Sequence, residues 1–393
     1  MAKFIHTADW QIGKPFIYIS EEQKRFYLRQ ERLNVINRIK DKVEDKKAEF
    51  LLVAGDLFDC TTPTISTVIE VLELIGKMNI PVLAIPGNHD HGALGTIWHS
   101  DEFKRYQSRL APNFSLLIKE KPIEIDTATI LPCPLLRNKT ISDPTLWLKN
   151  IDWKDVSPTK PRIVIAHGGI QGFSGRDYLL NSSTDSMVAN YINLKEMPLE
   201  EIDYIALGDW HNLKQVNSKT WYCGTPEPDR FDQGKNNQRG QILEVDISRG
   251  QTPLINIIQT GRLQWHNLKF RFNNDSDIDR FVDEIEKITN GRISKDLIRV
   301  EVSGEFSLSG YSKYELIRTE LENKLLALRV KGHCHKAPKE EELEKLTKST
   351  EDPLIAEVAV QLKEKMEKME DPNQIKIARL ALCELYKFAT QVK

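Results

Sequence analysis

The chain has 393 residues, 40% of them hydrophobic and 28% charged, with a formal net charge of −2. These values exclude a disordered chain and a membrane-embedded one, and the length calls for two or three domains. The balance of charge also excludes strong nucleic-acid binding through an overall basic excess, unless basic residues gather on one face or a partner supplies them.

Taken in chain order, Lys3–Ala8 is predicted as a strand and Glu21–Lys46 as an amphipathic helix, with Leu28, Val35, Ile36, Ile39 and Val43 on one face. Phe50–Ala54 is a strand, Thr64–Met78 a helix, and Val82–Ile85, Arg162–Ala166 and Tyr204–Leu207 further strands. Their nearly unbroken apolar character is that of strands buried on both faces. The later strands Ile242–Ile247 and Leu254–Ile258 leave no room for a helix between them. The expected fold is therefore mixed α/β, with two sheets packed as a sandwich. A second unit begins near Leu263 and reads as strand (Leu268–Phe272), helix (Asp277–Thr289), an Asn290-Gly291 stop, strand (Leu297–Val302) and helix (Tyr311–Lys324). From Pro338 the chain is Lys/Glu-rich and helical, broken at Pro372. Ile355, Val358, Leu362 and Met369 form one apolar stripe; Ile375, Ala378, Leu382, Leu385 and Ala389, flanked by Lys376, Arg379 and Lys387, form another. Each stripe requires cover, from the chain itself or from a partner. The expected regions are 1–262, a small α+β domain over 263–335, and a helical region over 336–393.

The start runs directly into a strand with no signal-peptide pattern, and no apolar stretch approaches the ~18 residues of a membrane span. Five scattered cysteines, with no C-x-x-C pair, fit a reduced, cytoplasmic protein.

Every early strand ends in polar or glycine residues, where α/β folds place their sites. These ends carry Asp9 and Gln11, Asp56, Asn88 and His89, His167, and Asp209 and His211. Carboxylates, imidazoles and carboxamide oxygens are the donors that divalent ions of hydrolytic centres require. Asp9/Gln11 and Asp209/His211 are two apart, so in an extended segment each pair points one way.

The motifs Asp9-x-Gln11, Gly55-Asp56-x-x-Asp59, Gly87-Asn88-His89-Asp90, an isolated His167 and Gly208-Asp209-x-His211 follow the order of the calcineurin-like metallophosphoesterases and resemble them. Within that superfamily, His6-Thr7-Ala8-Asp9-Trp10-Gln11-Ile12-Gly13, Gly-Asp-Leu-Phe-Asp at 55–59 and the segment Trp221–Pro228 resemble SbcD-type nuclease subunits. The resemblance implies a β-sandwich flanked by helices, then a small α+β capping domain and a C-terminal helical tail. It implies two divalent ions, one held by Asp9, Gln11, Asp56 and His211, the other by Asp56, Asn88, His167 and Asp209, with Asp56 bridging. His89 would stand outside the metal shell, orienting phosphate or protonating the leaving group. Gln11 and Asp209 stand where the family has histidine. This shift toward oxygen ligands favours Mn²⁺, with Mg²⁺ as the alternative, over Zn²⁺.

The activity implied is metal-dependent exo- and endonucleolytic cleavage of DNA in repair or end processing, by a homodimer working with an SbcC-like ATPase, on which the 336–393 region would dock through its Ile375–Ala389 stripe. Two alternatives stand beside it. One is a phosphomonoesterase or cyclic-nucleotide phosphodiesterase on the same fold; the other is a weakly active scaffold that clamps the ATPase. Elsewhere, His6 is expected to pack or hydrogen-bond, His91 and His99 to lie in a polar loop, and His333-Cys334-His335 to form a loop without zinc. The Lys/Glu runs 336–348 and 363–370 read as solvated helix faces.

Overall fold

A computed structural model of the protein describes residues 1–170, 189–231, 238–336, 339–348, 352–368 and 370–391. It divides into two compact units, Met1–Leu263 and Gln264–Lys393.

The first unit runs β1 (Ala2–Thr7), α1 (Glu22–Lys46), β2 (Phe50–Ala54), α2 (Ile65–Gly76), β3 (Val82–Ile85), α3 (Asp101–Leu110), β4 (Phe114–Leu116), β5 (Ile123–Glu124), β6 (Thr129–Cys133), β7 (Arg162–His167), β8 (Gly169–Ile170), β9 (Tyr191–Ile192), β10 (Tyr204–Gly208), β11 (Lys214–Gln215), β12 (Thr220–Tyr222), β13 (Gln241–Ile247) and β14 (Leu254–Gln259). Among the described residues these form two six-stranded sheets, ordered β14-β13-β1-β2-β3-β4 and β11-β12-β10-β7-β6-β5, and a small β8-β9 pair. β1, β2, β3 and β4 are parallel, while β13 returns antiparallel beside β1. In the other sheet β6, β7, β10 and β12 are parallel.

Side chains alternate across each strand, so a strand covered on both faces must be apolar throughout. Phe4, Phe50, Leu52 and Ala54 point between the sheets toward Ile130, Ile163, Ile165, Tyr204 and Ala206. Ile5, Leu51 and Val53 point the other way, against Val35, Ile36, Ile39 and Val43 of α1 and Val68, Val71 and Leu72 of α2. The outer face of the second sheet is covered by Leu148, Ile192, Met197 and Ile202. The architecture is the expected mixed α/β sandwich flanked by helices.

The second unit runs β15 (Gln264–Phe272), α4 (Asp277–Thr289), β16 (Asp296–Phe306), α5 (Leu308–Lys324), β17 (Ala327–Gly332), β18 (His335–Lys336), α6 (Glu340–Thr347), α7 (Pro353–Lys368) and α8 (Pro372–Gln391). β15, β16 and β17 pair in parallel, joined by α4 and α5. The core is aromatic: Phe272, Phe281, Phe306 and Tyr314 pack with Ile298 and Val300. Asn290 takes the left-handed conformation expected of the Asn-Gly stop, with φ 46°. β17 was not predicted: its one apolar pair, Leu328 and Val330, alternates with Arg329 and Lys331 and is only half-buried against the aromatic core. His335 begins β18 rather than lying in a loop, and Cys334 packs against the aromatic core.

The apolar stripe of α8, expected to meet the ATPase, is instead covered by the chain itself. Leu382 is fully buried and packs with Leu346 of α6 and Ala359 of α7, bordered by Ile355, Leu362, Leu385 and Ala389. On α7 Ile355 and Leu362 face this cluster as expected, with Ala356 and Ala359 buried and Val358 exposed. Pro338, Met369 and the side chains of Lys376 and Lys387 lie outside the described residues. Among those described, no helix is long and apolar enough to cross a membrane.

Candidate metal centre

β1, β2 and β3 are neighbours in one sheet, and β7 and β10 are neighbours in the other. Because these strands run parallel within each sheet, their carboxyl ends open together, and the predicted site residues follow those ends.

The loops after β1 and β2 continue side by side. Asp9 N–H donates to the Gly55 carbonyl at 3.1 Å, and Gln11 N–H to that of Asp56 at 2.8 Å. Asp9 (φ 54°), Gln11 (φ 42°) and Asp56 (φ 54°) in these paired loops, and Asp209 (φ 93°) after β10, have positive φ. The expectation that Asp9/Gln11 and Asp209/His211 lie in extended segments is therefore overturned. Half of the eight non-glycine residues with positive φ among those described are predicted metal ligands. Such strain persists where surrounding structure enforces it, as at functional sites.

Arg32 does much of that enforcing. Its buried guanidinium donates to the carbonyls of Asp9 (2.9 Å), Trp10 (2.8 Å) and Glu227 (3.0 Å), and to Thr225 Oγ1 (3.0 Å). Asp90 clamps the next loop, accepting from Gly87 N–H at 2.7 Å and Phe58 N–H at 3.0 Å. Gly87 has to be glycine, because a Cβ there would stand 2.2 Å from Asp56 Oδ1.

Ligand atoms of Asp9, Asp56 and His167 lie within 4.8 Å of one another, all buried. His167 Nδ1–H donates to the Ala54 carbonyl at 2.8 Å, which turns Nε2 into the site. Nε2 then lies 2.8 Å from Asn88 Oδ1, 3.6 Å from Asp56 Oδ1 and 3.9 Å from Asp209 Oδ1. Burial disfavours charge on His167, yet Asp56, Asp9 and Asp209 together push its pKa up to about 9. Burial, reinforced by Asp56 and Asp209, pushes Asp9 up to about 7. Asp9 Oδ2 is buried with no hydrogen-bond partner among the described residues. An orphaned carboxylate oxygen beside two further carboxylates fits a divalent cation, and the oxygen-rich donor set is that of a hard one. Asp9, Asp56 and His167, with Asn88 and Asp209 at the rim, would hold it. Bound there, such an ion supplies Lewis-acid stabilisation of charge on a phosphoryl group.

The remaining predicted residues adjoin this cluster. His89 Nδ1–H donates to the Asp59 carbonyl at 3.0 Å, and its Nε2 lies 4.0 Å from Asp56 Oδ2 on a half-exposed ring. His211 Nδ1 lies 3.1 Å from buried Asp229 and 2.7 Å from Arg230 Nη2, while Nε2 faces Gln11 Nε2 at 3.3 Å. A proton on Nδ1 serves Asp229 and leaves Nε2 as acceptor for the Gln11 amide. Arg230, which can only donate, makes the opposite demand on Nδ1, so either tautomer leaves one donor facing another. Burial lowers the His211 pKa to about 4, against the pull of Asp229, so the ring is neutral at pH 7. Gln11 also donates to Asp56 Oδ2 at 3.3 Å, and its Oε1 accepts from Lys14 Nζ at 2.6 Å.

Lys14, Arg32, Asp229 and Arg230 were not singled out by sequence. Arg32 left a readable signal: it interrupts the apolar stripe of α1, four residues after Leu28 and four before Ile36. His6 bonds Tyr204 Oη at 3.0 Å, as expected of a packed histidine. His99 bonds the Gly92 carbonyl at 3.0 Å, and His91 Nδ1 is buried with no hydrogen-bond partner among the described residues.

Among solved structures, one crystal structure is similar at 12% identity and a TM-score of 0.40, covering 66% of this chain and 98% of that one. A second, GAP50, the anchor in the inner membrane complex of Plasmodium, is similar at 13% identity and a TM-score of 0.36, covering 66% and 84%. Residues 2–237 match the calcineurin-like phosphoesterase family. That match contains every strand end described above, and with the clustered Asp9, Asp56 and His167 it means that the chain belongs to the calcineurin-like phosphoesterases.

Proposed function

We propose that the protein is the nuclease subunit of an SbcD-type complex, hydrolysing phosphodiester bonds of DNA with Mn²⁺, or Mg²⁺ in its place. The family makes the chain a hydrolase of phosphoesters. What favours the SbcD-type reading is the place of the Trp221–Pro228 segment, which carries much of that resemblance. Thr225 Oγ1 donates to the Asp9 carbonyl at 2.9 Å, and the Thr225 hydroxyl and the Glu227 carbonyl share Arg32 with Asp9. The distinguishing sequence is thus built against the backbone of a metal-binding aspartate.

In this reading the protein is a cytoplasmic homodimer, and an SbcC-like ATPase provides the basic platform that a net charge of −2 withholds. The C-terminal helices dock the ATPase. With the Leu382 stripe already covered, docking falls to the outer face, where Ile377, Leu380 and Phe388 are exposed. The weakly active scaffold remains a second reading, favoured by the engagement of Gln11 with Lys14 rather than with an open ligand position.

The test is Mn²⁺-dependent cleavage of linear duplex, hairpin and single-stranded DNA, beside a small phosphomonoester, with and without the ATPase. DNA cleavage that vanishes in Asp56→Asn supports the proposal. Turnover of the monoester alone refutes it, and no turnover in a properly folded, metal-loaded complex favours the scaffold.

A further inference from the structure

Gln11 and Asp209, the two departures from the family's histidines, meet different surroundings. Lys14 Nζ lies 2.6 Å from one terminal atom of the Gln11 side chain. An ammonium only donates, so that atom is the oxygen and the orientation of the carboxamide follows. The nitrogen must then face inward, where it lies 3.3 Å from Asp56 Oδ2 and 3.3 Å from His211 Nε2. Those are the two atoms that an ion beside Gln11 would need. That NH₂ group donates to Asp56 and stands against His211 Nε2, in the place a cation would take. An amide nitrogen has no free lone pair to offer a metal. Admitting an ion would mean turning the carboxamide over and breaking all three contacts. Lys14 is itself anchored, 3.3 Å from Asp229 Oδ2 and 3.7 Å from Asp59 Oδ1, and its fixed positive charge opposes a dication alongside.

Asp209 changes the other position in the opposite sense. Its N–H donates to Asp9 Oδ1 at 3.1 Å and its carboxylate lies 3.9 Å from His167 Nε2. It therefore adds a negative oxygen donor beside Asp9, Asp56 and His167. One replacement closes an ion position and the other strengthens its neighbour.

We propose that this chain is a one-ion phosphoesterase: Asp9, Asp56 and His167, helped by Asp209, bind a single divalent cation, and the Gln11 carboxamide locked by Lys14 fills the second position. The inference rests on the metal-dependent reading of the cluster and is independent of DNA as the substrate.

The test uses Mn²⁺ alone on the full chain, measuring bound metal after equilibrium dialysis and the electron paramagnetic resonance spectrum. The expected result is a single equivalent with the spectrum of an isolated ion. Two tightly bound equivalents with an exchange-coupled spectrum overturn the proposal. In Gln11→His combined with Lys14→Ala, a second equivalent and the coupled spectrum are expected. Lys14→Ala alone, which leaves the ligands intact, is expected to tighten second-ion binding at least tenfold. If neither variant, each folded by circular dichroism, gains a second ion, Gln11 and Lys14 are not what excludes it and the assignment fails. A parent chain that binds no Mn²⁺ overturns the metal reading of the cluster and this inference with it.

Discussion

The two units bury their carboxylates in different ways. In the second unit each buried acid serves the backbone or a cation. Asp296 accepts from His266 at 3.0 Å and Arg292 at 3.0 Å, and Glu342 accepts from the N–H groups of Leu308, Ser309 and Lys339. In the first unit, two carboxylate oxygens are buried with no hydrogen-bond partner among the described residues: Asp59 Oδ1, which still faces Lys14 Nζ at 3.7 Å, and Asp9 Oδ2. Burying an unpaired polar oxygen costs stability, so a fold keeps it where a ligand completes the arrangement. The second unit's acids are complete without a ligand, which makes them structural. The contrast predicts that substitutions in the first unit cost function before stability, and that those in the second do the reverse.

The largest effect expected on that contrast is at His89. Its Nδ1 is fixed by the Asp59 carbonyl and its Nε2 lies beyond hydrogen-bonding distance of Asp56, so it touches the site without holding its cation. His89→Ala should keep the metal content of the parent and lose ~10²–10⁴-fold in turnover, the usual contribution of an acid–base or phosphate-orienting group. Metal analysis beside single-turnover kinetics measures both quantities. A drop in bound metal would move His89 into the metal shell.

The opposite behaviour is expected at Glu342. Its carboxylate caps the amino end of α5 and closes the turn at Lys339. Glu342→Ala leaves those N–H groups unpaired and should destabilise the second unit by about 1–3 kcal/mol. Urea denaturation reads the loss, while Mn²⁺ content stays at the parental value. A fall in metal binding would break the comparison, since the second unit would then contribute to the site.

How far the sequence carried depended on whether a feature is local. The central strands were legible because burial on both faces leaves runs such as Phe50–Ala54 apolar throughout, and the polar residues that follow mark the strand ends. β17 was not, because its alternation of Leu328 and Val330 with Arg329 and Lys331 is too short to stand out from the helix before it and the loop after it. The site residues were legible as a set, since five motifs in order put Asp9, Asp56, Asn88, His89, His167, Asp209 and His211 at those ends. Their backbone was not. Left-handed Asp9 and Asp56 follow from the pairing of two loops and from Arg32, some 20 residues away from either. Nor does a glutamine in a ligand position disclose which of its terminal atoms faces inward. That depends on Lys14, which looks like any loop lysine until the chain is folded. The helical stripes were read correctly as needing cover, but periodicity carries no information about what provides it.

The smallest effect concerns His6, and it sets the two units against each other through pH. His266 of the second unit faces the carboxylate of Asp296. His6, fully buried in β1, has the hydroxyl of Tyr204 on Nδ1 and the backbone of Leu207 beside it, and no charged partner among the described residues. Burial lowers its pKa from 6.5 to about 3. The sign follows directly. Above pH 6.5 the ring is neutral in both the folded and the unfolded chain, and the linkage contributes nothing. As the pH falls, the unfolded chain takes up a proton that the folded chain refuses until about pH 3. Stability is therefore present above 6.5 and is lost on acidification, with about 2 kcal/mol going between pH 7 and pH 5 from this one group. His6→Gln removes the titration and offers Tyr204 an amide in place of the ring nitrogen. Urea unfolding of parent and variant at both pH values should show a smaller acid loss in the variant, by about that amount. Parallel losses in the two proteins would mean that His6 takes up its proton in the folded state, and that burial at this position does not hold it neutral.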